Sequence, residues 1–138
     1  MEPRKSTESI VIHCSATKPT MDIGLNEIRK WHVKDNGWRD VGYHYIVRRK
    51  GEVELGRRHD DTGAHAAGYN HKTIGVCMVG GMADDNSAEN NFTDKQWTAV
   101  KDLLNQIKVD YPGLKIIGHN EISSKECPSF DVQEWLNG

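Results

Sequence analysis

The chain reads as a single α/β domain. Short apolar runs alternate with stretches whose apolar residues recur at helical spacing, which argues for a sheet carrying helices rather than an all-helical or all-β architecture. At 138 residues it is long enough for one domain with a real core and too short for two of ordinary size. Two of the apolar runs, Ile10-Val11-Ile12 and Leu114-Lys115-Ile116-Ile117-Gly118, lead straight into a histidine, His13 and His119. In open α/β sheets, ligands gather at such strand ends.

Taken in order, Ile10-Val11-Ile12 is the first strand. Residues 24–35 predict a helix, with Leu25, Ile28 and Trp31 at helical spacing and Gly37 as its stop. Gly42-Tyr43-His44-Tyr45-Ile46-Val47 reads as a strand. Gly51-Glu52-Val53-Glu54-Leu55-Gly56 reads as a turn and short strand, and the clusters Arg48-Arg49-Lys50 and Arg57-Arg58 beside it as exposed hairpin charges. Ile74-Gly75-Val76-Cys77-Met78-Val79 has the length and composition of an interior strand, followed by a polar loop over 82–91. Thr93-Asp94-Lys95-Gln96 has the form of a capping box. Phe92 and Trp97 can staple the helix start, and Trp97, Val100, Leu104 and Ile107 continue one apolar stripe until Pro112-Gly113. A short helix over 131–136 closes the chain. Trp31, Trp97 and Trp135 are expected in the core, while Trp38, beside Gly37, is a candidate groove residue.

Formal charge is −2, so no whole face is set up for nucleic acid or an anionic membrane. No stretch approaches the roughly twenty apolar residues of a membrane span, and Met1 to Thr7 lacks the apolar core of a secretion signal. A cytoplasmic product is expected, with residues 1–8 as a flexible end. Without a heptad stretch, a monomer is the simplest expectation.

Three cysteines cannot all pair with one another. His13, His119 and Cys127 form a candidate three-donor zinc set, and placing Cys127 there leaves Cys14 and Cys77, which read as buried thiols. Three protein ligands leave a fourth position for water, whose pKa zinc lowers from about 16 to about 7. Residue types alone leave open the alternative of strand-end histidines bonded to backbone and a structural thiol. Cys14 as a nucleophile is a further alternative. Its neighbour His13, however, points to the opposite face of a strand and is badly arranged as its base.

The segments Ile12-His13-Cys14-Ser15-Ala16-Thr17, Val41-Gly42-Tyr43-His44-Tyr45, Gly63-Ala64-His65-Ala66-Ala67-Gly68-Tyr69-Asn70, Ile74-Gly75-Val76-Cys77 and Lys125-Glu126-Cys127-Pro128-Ser129-Phe130-Asp131 carry a resemblance. They are similar, in order, to the N-acetylmuramoyl-L-alanine amidases, the family of T7-like phage lysozymes and peptidoglycan recognition proteins. The similarity runs from about Ser9 to about Leu136. It implies a central mixed, mostly parallel β-sheet flanked by helices, with one Zn2+ in a surface groove at one edge of the sheet. Carried over by position, it makes His13, His119 and Cys127 the ligands and Tyr43 and Lys125 the catalytic partners. Peptidoglycan is the implied substrate, reached after a holin opens the membrane, and a phage single-subunit RNA polymerase is a further implied partner.

Chemistry supports these roles. Amide cleavage needs a nucleophile, stabilisation of the oxyanion and a proton for the departing amine. Lys125 would project beside Cys127 if the segment is extended, and Tyr43 can hydrogen-bond water or oxyanion, although a phenol is a poor base unless its pKa is depressed. His65, in a Gly-rich loop, is expected to line the substrate groove. His44 is expected beside its strand, and His32, His59 and His71 at surface or helix positions. Two rival readings are a peptidoglycan-binding module without catalysis, against which the presence of Cys127 counts, and a glycosidase using Asp60, Asp61 or Glu121.

Overall fold

The computed structural model describes residues 2–138. Its sheet has five strands, β1 (Ser9–Cys14), β2 (Tyr45–Val47), β3 (Val53–Leu55), β4 (Thr73–Met78) and β5 (Lys115–Gly118), in the order β3-β2-β4-β1-β5. The pairs β2–β4, β4–β1 and β1–β5 are parallel, and only the β2–β3 hairpin is antiparallel. The mixed, mostly parallel sheet is thus as expected. β1 and β4 are buried along almost their whole length, the pattern of strands covered on both faces.

One face packs against α2 (Asp94–Asp110) and α3 (Val132–Asn137). There Ile10, Ile12, Ile74, Val76 and Met78 meet Val100, Leu103, Leu104 and Ile107, with Trp97, Phe130 and Trp135 packed around them. The start of α2 follows its sequence signature. Gln96 N–H donates to Thr93 Oγ1 (3.1 Å), Thr93 N–H donates to Gln96 Oε1 (3.0 Å), and the Phe92 and Trp97 rings meet edge to face at 5.6 Å. Gln96 is also fully buried and donates through Nε2 to the carbonyls of Val47 (3.2 Å) and Val79 (2.8 Å), pinning α2 to the sheet. Asp131 caps α3, accepting from Glu134 N–H at 3.1 Å.

The other face packs against α1 (Leu25–Lys30) through Ile23, Ile28, Val41, Ile46, Cys77 and Val79. Here the expectation of one helix over 24–35 is corrected. After Lys30 the chain widens into a π-helical turn, Trp31–Asp35, in which Asn36 N–H reaches Trp31 O (3.3 Å). Trp31 keeps α-helical backbone angles at the end of α1, yet its side chain, expected in the core, is exposed.

Two other expectations are also corrected. Arg49 and Arg57 are not free hairpin charges. Arg49 donates to the Asn91 carbonyl (2.8 Å) and Gln96 Oε1 (3.2 Å), and Arg57 to the carbonyls of Val41 (2.8 Å) and Thr62 (2.9 Å), so each serves as a backbone clamp. The segment expected as a loose N-terminus is hydrogen-bonded across the molecule. The Arg4 guanidinium donates to His59 O (2.6 Å), and the backbone N–H of Glu8 donates to Lys72 O (2.8 Å). No described helix is long and apolar enough to cross a membrane.

Candidate metal centre and its surroundings

The parallel strands β1 and β5 deliver two imidazoles to the same end of the sheet. His13 is the penultimate residue of β1, and His119 follows β5 as the first residue of a 3-10 turn, His119–Glu121. Glu121 holds that turn by accepting the Gly118 N–H at 2.6 Å. Cys127 arrives from the far side on a turn in which Ser129 N–H donates to Glu126 O (2.8 Å) and the Cys127–Pro128 peptide is cis.

The donor atoms of His13, His119 and Cys127 lie within 4.8 Å of one another. Cys127 Sγ is 3.8 Å from His13 Nδ1, and it accepts the backbone N–H of Cys14 at 3.1 Å. The His13 and His119 rings lie 4.4 Å apart between centroids. Burial, reinforced by His65, His119 and Lys125, holds His13 well below the ordinary histidine range, and burial with Lys125 lowers His119. Both rings are therefore neutral, with a lone pair to give. A hydrogen bond to Cys127 lowers the Cys14 thiol to about 7, and the same contact raises Cys127. A cation between the three donors would reverse that balance, because a coordinated thiol deprotonates. Two neutral imidazoles and one thiol fit the soft-to-borderline preferences of zinc.

Tyr43 stands against His13, ring centroids 5.1 Å apart. Burial, with the neighbouring Cys77, holds its phenol well above the usual range, so it is a donor at neutral pH and not a base. Lys125 is exposed, and its segment is bent rather than extended, so the strand-based reason for its position does not hold. Its charge still lowers both histidines, after burial.

His65 is not simply a groove residue: its Nδ1 is 2.9 Å from His13 Nε2. His44 is buried as expected, accepting from Gly75 N–H (3.0 Å) and donating to Asp61 O (2.7 Å). His32, expected at a surface or helix position, sits in the π turn. It accepts the Gly42 N–H at 2.8 Å and packs on Tyr43 and Trp38. Its part in walling Tyr43 was not legible, since nothing in its helical spacing distinguished it. Cys14 and Cys77 are buried thiols, as expected.

The carboxylates considered for sugar cleavage have structural partners. Glu121 caps the His119 turn, and Asp60 accepts from Tyr111 on a different part of the surface. A hollow of about 890 Å³, lined in part by Trp97, Leu104, Phe130 and Trp135, lies between α2 and α3. It contains no histidine or thiol, so the chemistry belongs to the centre described above.

This architecture, a mostly parallel sheet with two histidines and a cysteine converging at one end, defines the class as a single α/β domain with a metal-type donor set. The same fold is found in the N-acetylmuramoyl-L-alanine amidase LysCS from Clostridium intestinale, with a TM-score of 0.81 at 24% identity over 96% of this chain and 84% of that one. The endolysin of Klebsiella phage KP32 is 50% identical over 132 residues, 96% of this chain and 87% of that protein. The endolysin of Escherichia phage T7 is 48% identical with the same coverage of each. Residues 3–130 match the family described as N-acetylmuramoyl-L-alanine amidase, and the chain belongs to that family.

Proposed function

We propose that this enzyme is a zinc-dependent phage endolysin that hydrolyses the amide between the lactyl group of N-acetylmuramic acid and L-alanine in peptidoglycan. The observation that carries the zinc reading is the convergence of His13, His119 and Cys127 donors within 4.8 Å, with both imidazoles held neutral. His13, His119 and Cys127 would hold the zinc, which when bound would supply an activated water at neutral pH and Lewis-acid polarisation of the scissile carbonyl.

The chain's own residues do the rest. Cys14 N–H orients the Cys127 sulfur, and Glu121 fixes the turn that presents His119. Tyr43, protonated at neutral pH, donates a hydrogen bond to the oxyanion as the tetrahedral carbon forms. Lys125 adds positive charge on the solvent side, where negative charge develops and where the leaving alanine amine needs a proton.

Digestion of purified peptidoglycan, with products identified by mass spectrometry, tests the bond assignment. Stem peptides beginning with a free L-alanine amine are expected. New reducing sugar ends would mean a glycosidase instead, and binding without products would mean a recognition module.

Delivery to the wall after a holin opens the membrane, and action as a monomer, complete the proposed role. Contact with a phage single-subunit RNA polymerase is proposed as a separable activity. A Cys127→Ser variant should lose cleavage and keep polymerase inhibition, and failure of the wild type to bind the cognate polymerase would remove that partner.

A further inference from the structure

Both ring nitrogens of His65 are engaged. Nδ1 lies 2.9 Å from His13 Nε2, and Nε2 lies 3.4 Å from Thr73 Oγ1. The Thr73 hydroxyl donates to Tyr69 O at 2.8 Å. These contacts run in one consistent direction. With its proton committed to Tyr69, the Thr73 oxygen accepts from His65, so His65 carries its proton on Nε2 and turns a bare Nδ1 toward His13. His13 must then carry its own proton on Nε2. That leaves a lone pair on His13 Nδ1, the nitrogen 3.8 Å from Cys127 Sγ.

A second, independent feature holds the ring in place. A methyl group on Gly75 would stand 2.6–2.7 Å from Cγ, Cδ2 and Nδ1 of His65, and one on Gly63 would stand 2.7 Å from Cδ2. Two glycines thus form the slot in which the imidazole sits. Asn70 Oδ1 accepts the backbone N–H groups of His65 and Ala66, each at 2.9 Å, and fixes the loop that carries the ring.

We infer that His65 is a positioning residue that locks His13 in the Nε2–H tautomer and so strengthens metal binding by the His13–His119–Cys127 centre. The inference rests on the zinc reading proposed above. It differs from a groove role in its consequence, because a residue that only touches substrate leaves the metal affinity alone. Partners behind a ligating histidine are generally worth 10- to 100-fold in metal affinity.

The test starts from zinc-loaded protein and measures zinc transfer to a chromophoric chelator, with circular dichroism showing that each variant is folded. His65→Ala should hold zinc about 10- to 100-fold more weakly. His65→Gln, whose amide oxygen can accept from His13, should recover part of the loss. Gly75→Ala, which keeps the imidazole but fills its slot, should weaken binding too. The cobalt-substituted protein should show shifted visible bands in His65→Ala. A wild type that retains no zinc would overturn the zinc reading itself. A wild type that binds zinc, with His65→Ala and Gly75→Ala binding as tightly, would overturn this inference alone, as would His65→Gln binding no better than His65→Ala.

Discussion

At the scale of single residues, the same burial that keeps ligands neutral also sets the pH response of the fold. His44 donates from one nitrogen and accepts at the other, and burial pushes its pKa down to about 4. A folded-state pKa below the unfolded value of about 6.5 contributes stability that is full above 6.5 and is lost as pH falls toward 4. Denaturant unfolding of the metal-free protein should therefore show a loss of about 2.4 kcal/mol between pH 7 and pH 4.5 from this group, read as the difference between wild type and a His44→Ala variant. An NMR titration placing the His44 midpoint near 6.5 would contradict the assignment. For Tyr43, replacement by Phe removes the donor without touching a ligand. Turnover should drop by about 100-fold with zinc affinity unchanged, whereas an unaltered kcat would assign the hydroxyl to packing against Cys77. That His13, His119 and Cys127 lie together was legible less from their own positions, which no compact local motif links, than from the resemblance carried by the segments around them. Thr73 and the Gly63–Gly75 slot were not, since a hydroxyl and two missing side chains acquire meaning only when β4 and the 62–68 loop are laid side by side.

At the scale of elements, α2 shows how local sequence and tertiary contact divide the work. Thr93→Ala removes one cap and should cost about 1 kcal/mol in urea unfolding. Gln96→Ala removes one of the two donors to each of the carbonyls of Val47 and Val79, which keep Val79 N–H and Arg49 respectively, together with the acceptor of the Thr93 N–H, and should cost more, about 1–3 kcal/mol. Equal losses would mean that the Gln96 amide contributes only as a cap. The capping box, the staple and the apolar stripe of α2 could all be read in advance because each depends on residues within a few positions. α1 could not be read to its end. The apolar pattern through Trp31 is that of a continuing helix, and the π turn follows from packing His32 against Gly42 and Tyr43, residues ten or more positions away. Arg49 and Arg57 misled for a related reason. Charge clusters beside a turn are usually solvated, but here the carbonyls they clamp come from distant segments of chain.

At the scale of the molecule, the three donors come from the first strand, the turn after the last strand and the turn before α3, so a bound metal would tie the two ends of the domain together. Anything that binds only the folded state stabilises it, by about 2.7 kcal/mol when its free concentration is 100 times Kd. Zinc should raise the melting temperature of the wild type and leave that of Cys127→Ser unchanged, and a similar rise in both would place the ion elsewhere. The most direct test of the account is peptidoglycan digestion by the native protein, the chelated protein and the chelated protein resupplied with zinc, followed by mass spectrometry. Release of stem peptides with free alanine amines, abolished by chelation and restored by zinc, is the predicted result. Undiminished release after complete removal of metal would contradict the central claim that His13, His119 and Cys127 act through zinc.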